Sequence, residues 1–205
     1  TPTLNYVAGD ISRIPIITKS HIKSAKQHLA NDLINHTKED WDSYEISWDF
    51  ASLPLLHNRK PTLKASYDTL RANWHMKTQE IQRIEEENNS IFIEAYGLQG
   101  ELSPNVPLNQ ITLTCNPHYR YSDKKNEEEL ESLLLTDTMR EFLSYTIGCM
   151  MGRYSLDAPG LILADAESTQ RDYLNKIPKT IVQLTFPPDE DGIIPLLDRE
   201  WFEDD

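Results

Sequence analysis

Asn116-Pro117-His118-Tyr119 carries residue types that can hold a nucleobase. An Asn amide and a nearby carbonyl can grip the amino group of an extruded base while an aromatic ring stacks on its face. The usual form of that arrangement is Asn-Pro-Pro-Tyr, and His118 stands in place of the second proline. Methyl transfer to such an amino group also needs a glycine-bearing turn after a strand to receive the methyl donor. The chain has seven glycines and no Gly-x-Gly. Residues 116–119 therefore read as a loop turn, and the likeness to a catalytic motif as coincidence.

Other chemistry is weakly signalled. There is no His-Glu-x-x-His, Cys-x-x-Cys or P-loop. The six histidines, at 21, 28, 36, 57, 75 and 118, are scattered. Glu85-Glu86-Glu87 reads as a solvated helix face, and Asp189-Glu190-Asp191 lacks the following Glu-x-Lys of a nuclease centre. No Ser, His and Asp grouping stands out from chance. No catalytic, cofactor-binding or metal-binding residue is assigned. For nucleic-acid contact the best local cluster is Tyr119-Arg120-Tyr121 with Lys124 and Lys125, which joins aromatic and basic side chains in a loop. Arg153 and the N-terminal lysines come second. The plainer alternative is that Arg120, Lys124 and Lys125 pair with Glu127–Glu129.

The elements that must position these residues are mostly helical. Leu63, Tyr67, Leu70, Trp74, Ile81, Ile84, Ile91 and Ala95 follow steps of four and three, interrupted by Lys77 and Asn88. That is a heptad stripe with polar breaks. With Pro61 at its start and Gly97 at its end, it predicts a helix over 63–95, roughly 50 Å long, acting as a bundle strut or protruding hairpin. Ser20 or Thr18 can cap a helix with Ile22, Lys26, Leu29 and Leu33 on one stripe. Thr37–Asp40 resembles a capping box, which predicts a new short helix through Trp41 and Tyr44. Trp41, Trp48 and Phe50 read as a core cluster, with a platform for bases as the sharper alternative. A charged helix start spans 125–135, and Thr138-x-x-Glu141 predicts the start of a second helix. Residues 142–151 form an apolar helical stripe, and Gly148 and Gly152, one turn apart, open a face to a neighbouring backbone. Residues 111–115, 161–165 and 180–186 are strand candidates, and 167–176 a helix ended by Pro178. The expected class is mainly α: a helical bundle with one long heptad-patterned helix and a few short strands.

Composition narrows the partners. The 205 residues are 39% hydrophobic and carry a net charge of −13. That counts against a free-standing DNA binder, which usually has a basic face. The charge is uneven: residues 187–205 hold eight acids and one arginine, whereas residues 1–38 hold five bases and two acids. No run approaches transmembrane length. Cys115 and Cys149 are far apart and outside any metal spacing, so both read as buried thiols in a cytoplasmic setting, a disulfide being the weaker alternative.

Four stretches also carry a family resemblance. They are residues 5–16 (NYVAGDISRIPI), 39–50 (EDWDSYEISWDF), 85–108 with 111–121 following (ITLTCNPHYRY), and 142–163 (FLSYTIGCMMGRYSLDAPGLIL). In this order they resemble the helical region of the PglX family, adenine-specific DNA methyltransferases of BREX phage-defence systems, which is similar to MmeI-like type IIG restriction-modification enzymes. In that family this region follows the catalytic core. The resemblance therefore implies an excised, non-catalytic fragment. Residues 1–19 would lead out of the core, 20–186 form the helical domain and 187–205 an acidic tail. It implies that the parent methylates adenine N6 in double-stranded DNA with S-adenosylmethionine, and that this part supports target recognition or positioning. Tyr119, Arg120, Lys124, Lys125 and Arg153 are then the expected DNA contacts. A scaffold that docks another defence-complex subunit through its long helix is the alternative, and an exposed heptad seam makes a homodimer plausible.

Overall fold

Thr62, Leu63 and Gly97 set the ends of the longest element. In the computed structural model, which describes residues 12, 13, 15–17, 20–121, 124–165 and 167–190 (backbone only for 20–26), a single helix runs from Leu63 to Tyr96. Thr62 Oγ1 accepts from the Ala65 N–H at 3.2 Å, and Gly97 closes the other end at φ 69°, a left-handed conformation that glycine adopts without strain. The middle of the heptad stripe faces the protein, while Leu63 at the helix start stays exposed. Tyr67, Ile81 and Ile84 are buried, and Lys77 bonds Glu39 of the preceding helix at 3.0 Å.

We label the helices α1 (Ser20–Trp41), α2 (Leu63–Tyr96), α3 (Pro117–Arg120), α4 (Glu127–Met150) and α5 (Gln170–Lys176). Short 3₁₀ turns lie at Pro54–Leu56, Leu108–Gln110 and Ile181–Gln183. α2 is the spine of two cores. Tyr67 joins Phe50, Leu53, Leu55, Tyr145, Cys149 and Tyr154 in the first. Its rings lock edge-to-face and stacked, with Phe50–Tyr154 centroids at 5.5 Å and Tyr145–Tyr154 at 5.1 Å. Ile81 joins Val106, Ile111, Leu113 and Cys115 in the second, and Trp74 packs against both. A third small cluster unites Ile162, Tyr173 and Ile177 under α5.

The mainly α class holds, but no strand forms among the described residues. In 111–115 the alternation is real: Ile111, Leu113 and Cys115 are buried while Thr112 is exposed. The backbone donors go elsewhere, however. Thr114 and Cys115 N–H groups donate to the Asp40 carboxylate at 2.6 and 3.1 Å, and the Leu113 N–H to Ile111 O at 2.9 Å. No partner strand is needed. Residues 180–186 instead make a capped 3₁₀ turn with Val182 exposed, and 161–165 stay irregular.

Two expected capping boxes are not helix starts. Thr37 lies inside α1 and Thr138 inside α4, and each hydroxyl donates to the carbonyl four residues back, Leu33 O at 2.8 Å and Leu134 O at 2.7 Å. The true start of α4 is Asn126, whose side chain and Glu129 exchange capping bonds. Of the expected aromatic cluster only Phe50 is core: Trp41 is 51% exposed and Trp48 fully so. Gly148 admits a ring rather than a backbone, since a Cβ there would lie 2.7 Å from Tyr154 Cδ2. Gly152 is outside the helix, at φ 72° in the turn after Met151. Both cysteines are free and buried. Residues 1–11, 14, 18, 19 and 191–205 of the expected linker and tail lie outside the described residues.

Candidate nucleic-acid interface

The second core fixes the base of the segment 106–121, and Asn116 shapes it. The Asn116 side chain is 1% exposed. Its Nδ2 donates to Leu108 O at 2.7 Å and Ile111 O at 2.9 Å, and its Oδ1 accepts from the His118 N–H at 3.2 Å. Donors and acceptor are all engaged within the loop, so this amide does not face a base. Residues 117–119 lie in the single-turn helix α3, which Asn116 caps, so the expected loop turn is a short helix instead.

Downstream, the loop is tied to α4. Arg120 Nη2 lies 3.0 Å from Glu141 Oε1 and 3.4 Å from Asp137 Oδ2. Its guanidinium sits over the Tyr44 and Tyr121 rings at 5.6 and 5.7 Å. Tyr121 donates its hydroxyl to Asp137 at 2.7 Å. Burial pushes the Glu141 carboxyl up from its ordinary value, and outweighs the opposing pull of Arg120. Burial also raises the Tyr121 phenol, and the bond to Asp137 adds to this. Arg120 is thus a half-buried fastener. Its acid partners are Asp137 and Glu141, about three and four turns into α4, instead of the expected Glu127–Glu129.

Tyr119, Lys124 and Lys125 remain at the surface, Tyr119 being 49% exposed. Lys125 shares a shallow depression with Glu128 and Glu129, and His118 Nε2 lies 3.3 Å from Glu127 Oε2. The acids there cap the helix start, where negative charge stabilises the helix. They also reduce the positive field of the loop.

Arg153 belongs to the turn after α4. It stacks on its neighbour Tyr154 at 5.4 Å and lines an apolar groove of about 580 Å³ with Glu45, Arg140, Leu143, Ile147 and Met151. A second cavity, sharing Glu45 and Arg153, extends to the exposed Trp48. The sequence stripe of 142–151 gave no sign that Leu143 and Met151 would stay outside.

Spacing also missed one pairing. Ser52 Oγ and His57 Nε2 lie 2.7 Å apart at an open cavity that Arg59 and Asp157 also line. The Asp157 carboxylate accepts from Lys179 Nζ at 2.6 Å and from Thr185 N–H and Oγ1 at 2.8 and 2.6 Å. It is engaged away from the imidazole, so the three form no relay. Among the described residues no three His, Cys, Asp or Glu side chains group to hold a metal ion, and no helix is long and apolar enough to cross a membrane.

No family model matches the chain. An adenine-specific methyltransferase BrxX of Escherichia coli O9:H4 (strain HS) is 37% identical over all 205 residues, which span 16% of that protein. An adenine-specific methyltransferase PglX of Lacticaseibacillus casei (strain Zhang) is 31% identical across the whole chain, which spans 15% of its length. Over its entire length, then, this chain is a homologue of one segment of the PglX and BrxX adenine-specific methyltransferases.

Proposed function

We propose that the chain is a non-catalytic helical part of a DNA-modification methyltransferase, which positions duplex DNA while the parent methylates adenine N6 with S-adenosylmethionine. The observation that carries this is the match of the whole chain to one sixth or less of two proteins named as adenine-specific methyltransferases. The occupied amide of Asn116 supports placing the chemistry elsewhere in such a protein. In this reading Tyr119, Lys124 and Lys125 touch the duplex, Arg120 holds their loop in place, and Arg153 contributes from the turn after α4.

The test is anisotropy of a fluorescent duplex titrated with the chain at two salt concentrations. Binding should weaken steeply with salt, as phosphate contacts release counterions. A Lys124→Glu, Lys125→Glu variant should bind several-fold more weakly, at unchanged thermal midpoint. Absence of binding at low salt would sink the reading.

The groove of Leu143, Ile147 and Met151 favours a second reading, a scaffold that docks another subunit of a defence complex. Leu143 is 59% and Met151 48% exposed, and Trp48 is wholly so. Exposed Trp, Met and Arg are residue types enriched where proteins meet. Such docking should depend little on salt.

A further inference from the structure

From Phe50 to Tyr67 the chain has no acidic residue, although the whole protein carries 33 acids against 20 bases. This stretch holds His57, Arg59, Lys60 and Lys64, all exposed. We propose that the Arg59–Lys64 turn is a contact site for the phosphate backbone of duplex DNA. The proposal rests on the DNA-positioning reading and adds to it a surface that the 119–125 loop does not include.

The local charges favour this turn over that loop. Arg120 is committed to Asp137 and Glu141, and Lys125 borders Glu128 and Glu129. Arg59 and Lys60, by contrast, make no ion pair among the described residues. The first turn of α2 contains no acid that would neutralise them. Lys64 does pair with Asp68 at 2.7 Å, but side chains 83% and 56% exposed form a weak, salt-screened pair that a phosphate can replace. Asp157 is the other acid at the neighbouring cavity, and Lys179 already neutralises it.

The turn is also held in shape. Leu53 and Leu55 anchor one side in the first core, at 4% and 2% exposure, and Tyr67 anchors the other. Between them the Lys60 N–H donates to the buried Ser66 hydroxyl at 2.9 Å, the His57 N–H to Pro54 O at 3.1 Å, and Ser52 bonds His57. A basic surface fixed this way loses little backbone freedom when it meets a rigid rod of phosphates. Main-chain anchoring with free long side chains is the arrangement that positions DNA without reading sequence.

The experiment compares the chain, an Arg59→Glu, Lys60→Glu variant and the Lys124→Glu, Lys125→Glu variant, each titrated into two labelled duplexes of unrelated sequence across a salt series. The Arg59/Lys60 variant should lose about tenfold or more in affinity on both duplexes alike, and its salt slope should flatten by about two. Circular dichroism should show an unchanged fold. If this variant binds as the parent chain does while the Lys124/Lys125 variant loses binding, the turn is excluded and the loop reading stands. Failure of the parent chain to bind either duplex at low salt overturns both. Competition by poly-glutamate as effective as by unlabelled duplex would assign the turn to an acidic protein partner and overturn the phosphate contact.

Discussion

Asn116 is the residue where sequence likeness and structure diverge most usefully. Its amide has the chemistry to hold a base, yet it caps α3 and binds two carbonyls of its own loop. Replacing it by alanine leaves Leu108 O and Ile111 O without that donor. Asn116→Ala should cost about 1–3 kcal/mol, read as a lower urea midpoint at constant slope. Asp157 is a second such residue, with a side chain only 2% exposed. Burial opposes its ionisation, but Lys179 and Thr185 outweigh that and hold the carboxyl at about 2, below the ordinary 3.8. Because the folded value is the lower one, Asp157 contributes its full stability above about pH 4, and loses it as pH falls towards 2. The stability gap between the parent chain and Asp157→Asn should therefore be constant near neutrality and shrink between pH 4 and 2. A gap that persists at pH 2 would show that the carboxylate charge is not what matters there. The role of Asp157 was not legible in the sequence, because partners 22 and 28 residues away carry no periodic signal.

At the scale of elements, what a stripe and a cap could announce was legible. α2 runs from Leu63 to Tyr96, close to the span its heptads mark, and Gly97 ends it. α5 begins after Thr169 within the stretch predicted helical. The misreadings have one physical source: a local pattern admits two uses, and tertiary contacts choose. Thr37 and Thr138 have the residue types of caps but sit in helix interiors, where a Thr hydroxyl bonds the preceding turn. The Ile111–Cys115 alternation serves a turn because Asp40 takes its donors. Gly148 was legible as a place of close approach, though not as a seat for Tyr154. That ring cannot retreat, since it stacks on Tyr145 and meets Phe50 edge-on. Gly148→Ala should therefore destabilise by about 1–3 kcal/mol through overpacking, despite the roughly 1 kcal/mol that alanine gains as a helix former. Chemical denaturation decides it, and a more stable variant would refute the packing account.

For the whole molecule, charge is the property hardest to place from a linear sequence. The net −13 counted against a basic face, and the basic–aromatic cluster at 119–125 was the best local candidate for nucleic-acid contact. In three dimensions α4 brings Asp137 and Glu141 beneath it, at separations of 17 and 21 residues from Arg120. The acid-free stretch of 50–67 was visible all along. Its value depends on the fold leaving Arg59 and Lys60 outside and the first turn of α2 without acids.

The two cores each contain one thiol: Cys149 in the first, Cys115 in the second. Burial pushes both thiols up, Cys149 to about 11 and Cys115 further. A thiol so shielded reacts only when its surroundings open. The chain thus contains two built-in clocks. Timed alkylation followed by mass spectrometry of the two cysteine peptides would read the opening of each half separately. Equal rates would mean that α2 makes the molecule yield as one body; unequal rates would identify which half lets go first.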